Sequence, residues 1–233
     1  MNPVRPIKKS VSYWRSNGMK AVSLWSGGKD SCFACYKAKE QGHKITSLIN
    51  FTNIDGAGSV SHGLSAAIIK KQACLADIPF LQKAMPKDGY TNAFKALIEE
   101  LKIKDDIKGI VFGDIYLQEH RDWIDKVCAE LKVEAILPIW TTDTEKLVKD
   151  IIDSGFKSIV VSTRKDILGE EWLGREIDDN FIKDVSTIGN IDLCGEKGEF
   201  HTFTYDGPIF KGRIKFDKGE KRLENNRWFL EIR

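Results

Sequence analysis

Apolar and polar positions along this chain keep switching between two periods. Ala21-Val22-Ser23-Leu24-Trp25 is a short apolar run that predicts a buried strand, and Cys32 through Glu40 is a segment of good helix formers closed by Gly42. Ile45–Phe51 predicts a second strand, followed by the polar, glycine-bearing stretch Thr52–Gly63. Ser65–Ala76 carries Ile68, Ile69, Cys74 and Leu75 and predicts a helix that ends before Pro79; Pro79–Ala84 reads as a short third strand. Phe94, Leu97, Ile98 and Leu101 recur at i, i+3, i+4 and i+7, the mark of an amphipathic helix. Ile107–Phe112 is a strand closed by Gly113-Asp114. Trp123, Ile124, Val127, Cys128 and Leu131 stripe the next helix, and Glu134–Leu137 is a strand ending at Pro138.

Strands alternating with helices imply βαβ units, a parallel sheet and helices on both faces. In such a sheet the ligand lies beyond the carboxyl ends of the strands where the order reverses. With the doubly wound order 3-2-1-4-5, the first and fourth strands flank that crevice. Past Pro138 the character changes. Thr142 or Asp143 can cap a helix bearing Leu147, Val148, Ile151 and Ile152, stopped by Gly155; Phe156–Ser162 is a strand, Thr163–Arg175 is mixed, and Asp178–Ile188 is helical. The remainder to Arg233 is β-rich and partly antiparallel. The expectation is an α/β, Rossmann-like domain over residues 20–139, a smaller C-terminal α+β domain over 140–233, and an N-terminal arm over 1–19.

The first predicted strand and helix are joined by Ser26-Gly27-Gly28-Lys29-Asp30-Ser31. Two glycines let the backbone approach an anion without a Cβ in the way, and the helix N-terminus presents amides and the positive end of its dipole. Lys29 adds a point charge, expected to be wet at the mouth of the sheet, and Ser26 and Ser31 add hydroxyls. The spacing matches neither a Walker A loop nor a G-x-G-x-x-G fingerprint. The alternative for these residues is a serine-glycine turn that caps a helix.

A second stretch, Cys194-Gly195-Glu196-Lys197-Gly198-Glu199-Phe200-His201-Thr202, clusters two carboxylates and an imidazole between glycines. That chemistry suits metal binding, general base work or recognition of an amine, and it equally describes a solvated acidic turn. Asp114, at the end of the fourth strand, is a candidate for holding Mg²⁺ or orienting substrate, and otherwise caps the following helix. Cys32 and Cys35 make a C-x-x-C with no second pair to complete a metal site, and read as core thiols.

Composition narrows the classes. The chain has 233 residues, 42% hydrophobic and 30% charged, and a net charge of +2 from well-mixed acids and bases. No apolar run spans a bilayer, so no membrane partner is expected, and no clustered basic surface advertises nucleic acid. Five cysteines without a disulfide pattern fit reduced thiols in the cytoplasm.

S-G-G-K-D-S resembles the PP-loop of the ATP pyrophosphatases, which cleave ATP between the α and β phosphates. Other segments extend the likeness: His62-Gly63, Gln72-Ala73 with Ile78-Pro79, Gly113-Asp114-Ile115 with His120-Arg121, Val127-Cys128 and Pro138-Ile139-Trp140. Leu173-Gly174-Arg175, Cys194-Gly195-Glu196 with Gly198-Glu199-Phe200-His201-Thr202, and Asp206-Gly207-Pro208 complete it. Together they resemble the diphthine–ammonia ligase family of ATP pyrophosphatases from about Lys20 to the C-terminus, and G-E-x-G-E-F-H-T is similar to its bacterial branch.

The resemblance implies an ATP- and Mg²⁺-dependent ligase. A carboxylate, from a small molecule or a protein, is adenylated, and ammonia or an amine then forms the amide. The acceptor would be diphthine or, for the bacterial branch, a cobalamin-related acid, and a homodimer is allowed. Ser26, Gly27, Gly28, Lys29, Asp30, Ser31 and Asp114 would bind nucleotide, with Asp30 and Asp114 on the metal. Lys29, Asp30, Glu196 and Glu199 would carry the chemistry, with His62, Arg121 and His201 on the substrate. A tRNA-modifying PP-loop enzyme and a non-catalytic ATP or AMP sensor are the rival readings.

Overall fold

The computed structural model describes residues 18–52, 62–86 and 88–233. Residues 1–17 of the expected arm and 53–61 of the glycine-bearing stretch lie outside the described residues.

Five strands build the first sheet: β1 (Lys20–Leu24), β2 (Lys44–Thr52), β3 (Phe80–Ala84), β4 (Gly109–Val111) and β5 (Glu134–Ile136). They pair in the order β3-β2-β1-β4-β5, every pair parallel. Each parallel step needs a crossover, supplied by α1 (Lys29–Glu40), α2 (Ala66–Ala76), α3 (Tyr90–Asp105) and α4 (Gln118–Leu131). The reversal of strand order between β1 and β4 is the one expected from the sequence pattern, and it puts the loop after β1 beside the loop after β4. Neighbouring residues of a strand face opposite ways. Ala21 therefore joins a core with α1 and α2, while Val22 joins a second core in which Phe94, Leu97 and Ile98 of α3 meet Ile124, Val127 and Leu131 of α4.

Beyond β5, α5 (Thr144–Asp153), β6 (Lys157–Arg164), α6 (Asp179–Ile188), β7 (Phe200–Asp206), β8 (Lys218–Glu224) and β9 (Arg227–Ile232) follow. The four strands form an antiparallel sheet in the order β7-β6-β9-β8. Of the two caps open for α5, Asp143 is the one used, accepting from the Lys146 amide at 3.0 Å. Asn225 and Asn226 turn the β8–β9 hairpin with φ of 46° and 62°, a conformation asparagine tolerates.

The two sheets share one core. Phe33 of α1 meets Phe156 edge-on at 5.7 Å, and Trp25 meets Phe210 at 6.3 Å. Burying such aromatics stabilises by roughly 1.5–3 kcal/mol each. At the centre sits a polar side chain, Gln72, on the buried face of α2. Its Nε2 donates to the Gly27 carbonyl at 2.9 Å and to the Thr204 carbonyl of β7 at 2.7 Å, and its Oε1 accepts from the Trp25 indole at 2.9 Å. Leucine at this position would leave the indole N–H without an acceptor and take a donor from both carbonyls. Q72L is therefore expected to lose about 2–4 kcal/mol in urea unfolding. I103A, at a side chain 87% exposed, should change stability by less than about 0.5 kcal/mol. Equal midpoints for the two variants would show that the Gln72 network does not hold the fold.

Candidate active site

Gly27 and Gly28 shape the loop after β1 from behind. Gly27 has φ +85°, and a Cβ there would sit 2.4 Å from Ile69 Cδ1 and 2.7 Å from Gln72 Oε1. A Cβ on Gly28 would meet His62 Nε2 at 2.6 Å. The serines brace the turn: their hydroxyls lie 3.0 Å apart, the Gly28 amide donates to Ser26 Oγ at 3.3 Å, and Ser31 Oγ donates to the Gly28 carbonyl at 3.0 Å. Helix α1 starts at Lys29 with no side-chain cap from Gly28.

Strand β7 runs directly against this loop. The Lys29 amide donates to Thr202 Oγ1 at 3.0 Å, and the Thr204 amide donates to the Gly27 carbonyl at 3.0 Å. The Cys194–Thr202 segment thereby faces Ser26–Ser31 across a cavity of about 340 Å³. Ser26, Lys29, Asp30 and Ser31 line one wall, and Cys194, Gly195, Glu196, His201 and Thr202 line the other. Gly113, Asp114 and His120 come from the end of β4, and His62 closes the rim.

Lys29 overturns the expectation of a wet charge. It is 1% exposed, with Nζ 2.9 Å from Asp30 Oδ2 and in contact with the Cys194 carbonyl. Its ring neighbour Phe200 lies 5.3 Å away. The helix starts one residue after the turn, which sends the lysine stem inward under the Cys194 loop. Burial pulls its pKa down, but Asp30, Cys194 and Asp192 push it up by more, so it stays protonated above the usual lysine value. For Asp30, burial outweighs Lys29 and holds its carboxyl above the ordinary aspartate value.

Asp114 does not cap α4, whose N-cap is Leu117. Its Oδ1 instead lies 2.8 Å from His120 Nδ1. That hydrogen bond raises the His120 pKa. Glu196 Oε1 accepts from the Ile115 amide at 2.9 Å, so the loops after β4 and before β7 are joined at the cavity. Burial, with Asp30 and Asp114 nearby, lifts Glu196 to about 7 against the Ile115 hydrogen bond and Lys29. His62 and His201 pack with ring centroids 4.6 Å apart. Burial lowers His62 to about 3 and His201 well below its ordinary value, so both are neutral at pH 7.

Four expected site residues lie outside the cavity lining: Gly27 and Gly28, which shape the loop behind it, and Glu199 and Arg121. Glu199 is 2% exposed; its Oε1 accepts from the Asp192 amide at 3.1 Å, and its Oε2 has no partner among the described residues. Burial rules out the solvated acidic turn for this carboxylate, yet it stands behind the loop. Arg121 pairs through Nε with both carboxylate oxygens of Asp125 at 2.8 and 2.9 Å and covers the Trp140 ring at 5.5 Å. It is one turn along α4, and the neighbouring His120 reaches the cavity in its place. Cys32 and Cys35 are buried, and burial raises both thiols, as core residues should be.

Sequence reasoning missed Asp192. Its Oδ1 accepts from the Cys194 amide at 2.9 Å and the Glu196 amide at 3.2 Å, and its Oδ2 accepts from the Tyr116 hydroxyl at 3.2 Å. No local signal marks it, since Tyr116 is far away in sequence. Gln72 did leave a signal, an amide on an otherwise apolar helix face.

For Mg²⁺, the cavity is lined by the carboxylates of Asp30, Asp114 and Glu196; of the two expected ligands, Asp30 and Asp114, Asp30 has its Oδ1 without a partner among the described residues. No group of three or more metal-ligating side chains occurs among them. Two carboxylates suit Mg²⁺, which takes its remaining ligands from phosphates and water.

A doubly wound parallel sheet with a glycine-serine loop at the β1–α1 turn, facing a second polar loop across one cavity, is an α/β, Rossmann-like architecture whose cavity lies at the strand-order reversal, where such sheets take their ligands. Within that class the chain belongs to the diphthamide synthase family: the family's N-terminal domain matches residues 19–135 and its C-terminal domain matches residues 143–233. It is 25% identical to the diphthine–ammonia ligase of Danio rerio, over 92% of each chain. With the diphthine–ammonia ligase of Homo sapiens it shares 26% identity, covering 87% of this chain and 84% of the human one. With that of Mus musculus the identity is 26%, over 92% and 89%. No helix among the described residues is long and apolar enough to cross a membrane.

The raised Glu196 pKa has a consequence for stability. The folded protein holds this proton more tightly than the unfolded chain, so the carboxyl costs stability as pH rises from about 4.5 to about 7. E196Q keeps the acceptor for Ile115 and removes the titration. Its stability relative to the native protein should rise by about 1–2 kcal/mol between pH 5 and pH 8, with allowance for partial solvent screening. A difference that stays flat over that interval would mean Glu196 titrates normally.

Proposed function

We propose that this protein is an ATP-dependent ligase that forms an amide from a carboxylate and ammonia, releasing AMP and pyrophosphate. The observation that carries this reading is the PP-loop sequence at the start of α1 meeting the Cys194–Thr202 segment across one cavity. In this reading residues 20–139 bind nucleotide and 140–233 hold the acceptor. The relatives named diphthine–ammonia ligase make diphthine the first acceptor to test.

The loop amides, the α1 N-terminus and Lys29 receive the charge that builds on the departing pyrophosphate. Because Lys29 is buried and held by Asp30 and Cys194, its positive charge is pre-oriented and acts from beneath the phosphates. Asp30 and Asp114 would hold Mg²⁺, which would neutralise phosphate charge when bound. The acceptor carboxylate attacks the α-phosphorus, and ammonia then attacks the acyl carbon and displaces AMP. Glu196, with a pKa of about 7, is matched to taking the proton lost by the attacking nitrogen. His62 and His201 present uncharged rings on the acceptor side. Glu199 acts through Asp192 to hold the loop.

With α-labelled ATP and an acceptor, the labelled product should be AMP; clean conversion to ADP would overturn the assignment. K29M should lower turnover by about 10²–10³-fold. It should also lower stability by about 1–3 kcal/mol, because Asp30 and the Cys194 carbonyl lose their donor. Adding D30N to K29M should restore part of the stability and none of the turnover. Native turnover in K29M would remove the lysine from the mechanism.

A further inference from the structure

Between α2 and the loop that follows β7 runs a groove of about 550 Å³, on a different face of α2 from Gln72. Leu75 and Ile214 give it an apolar floor, and Lys70, Lys71, Arg213 and Lys215 surround them; no carboxylate lines it. Many basic side chains elsewhere on this surface are neutralised, as in Lys37–Glu40, Lys146–Asp150 and Lys211–Asp77. The four groove cations make no ion pair among the described residues. Arg213 is held by stacking over the Tyr205 ring at 4.7 Å. On a chain of net charge +2 this is a local excess of like charge that a bound anion would relieve.

The floor sets the second requirement. A polyanion satisfies the charges but leaves the apolar surface uncovered, and no aromatic ring lines the groove for a base to stack on. We propose that the groove docks an acidic segment of a partner protein, with an aliphatic side chain seated on Leu75 and Ile214 and carboxylates facing the four cations. The surface is separate from the ATP cavity and does not depend on the reaction assigned there.

The test uses the full chain and a fluorescein-labelled amphipathic peptide of glutamates and leucines, read by anisotropy. Cys74 lines the groove and is the exposed one of the five cysteines, so its alkylation rate reports occupancy. The expected result is saturable binding that weakens about tenfold or more in K70E/K71E, falls with added salt, and slows Cys74 alkylation. R213E/K215E should weaken binding likewise, and melting curves establish that both variants are folded. A glutamate peptide without leucines, a single-stranded RNA oligonucleotide and phosphatidylserine vesicles are the competitors. Binding within about twofold of native in K70E/K71E would overturn the proposal. So would unchanged alkylation at saturation, or equal affinity for any of the three competitors.

Discussion

The amide of Gln72 is the point on which the two sheets and the Ser26–Ser31 loop depend together. One nitrogen donates to both the Gly27 carbonyl and the Thr204 carbonyl, while the oxygen receives the Trp25 indole N–H. A buried amide left without partners would cost several times what each hydrogen bond contributes. The loop conformation, the seat of Trp25 at the end of β1 and the approach of β7 are therefore satisfied as a set. Gly27 is part of the same constraint, because its backbone passes close enough to Ile69 and Gln72 to exclude any Cβ.

That junction decides the electrostatics of the cavity. With β7 against the loop, the Cys194 carbonyl lies over the Lys29 ammonium, and burial turns a flexible surface cation into a fixed one. The same enclosure raises Asp30 and Glu196 and lowers His62 and His201. Carboxyls and imidazoles thus shift in opposite directions for one reason, the expense of holding charge away from water. Asp192 makes the arrangement specific. By accepting from the Cys194 and Glu196 amides and from Tyr116, it ties the acidic loop to the end of β4.

Much of this was legible in the residues. The periods of apolar positions marked all five strands and four helices of the first sheet, and the glycine-serine loop lay at its strand-to-helix turn. The β1–β4 reversal agrees with the doubly wound order supposed for such an alternation, and the Cys194–Thr202 segment stood out by its carboxylates and glycines. Residue by residue, the sequence by itself determined which local structures form and which chemical groups are available, because helix and strand periods, caps and tight turns are set over a few neighbours. Tertiary structure alone decided that Lys29 is buried, that Asp114 pairs with His120, that Arg121 turns to Asp125 while His120 enters the cavity, and that Glu199 stands behind the loop. Lys29 is buried by a group distant in the chain, Cys194, whereas Asp114–His120 and Arg121–Asp125 join near neighbours that the assembled core selects among the partners within reach. Burial and partner choice are properties of the assembled core, where desolvation and packing outweigh any preference a residue carries alone.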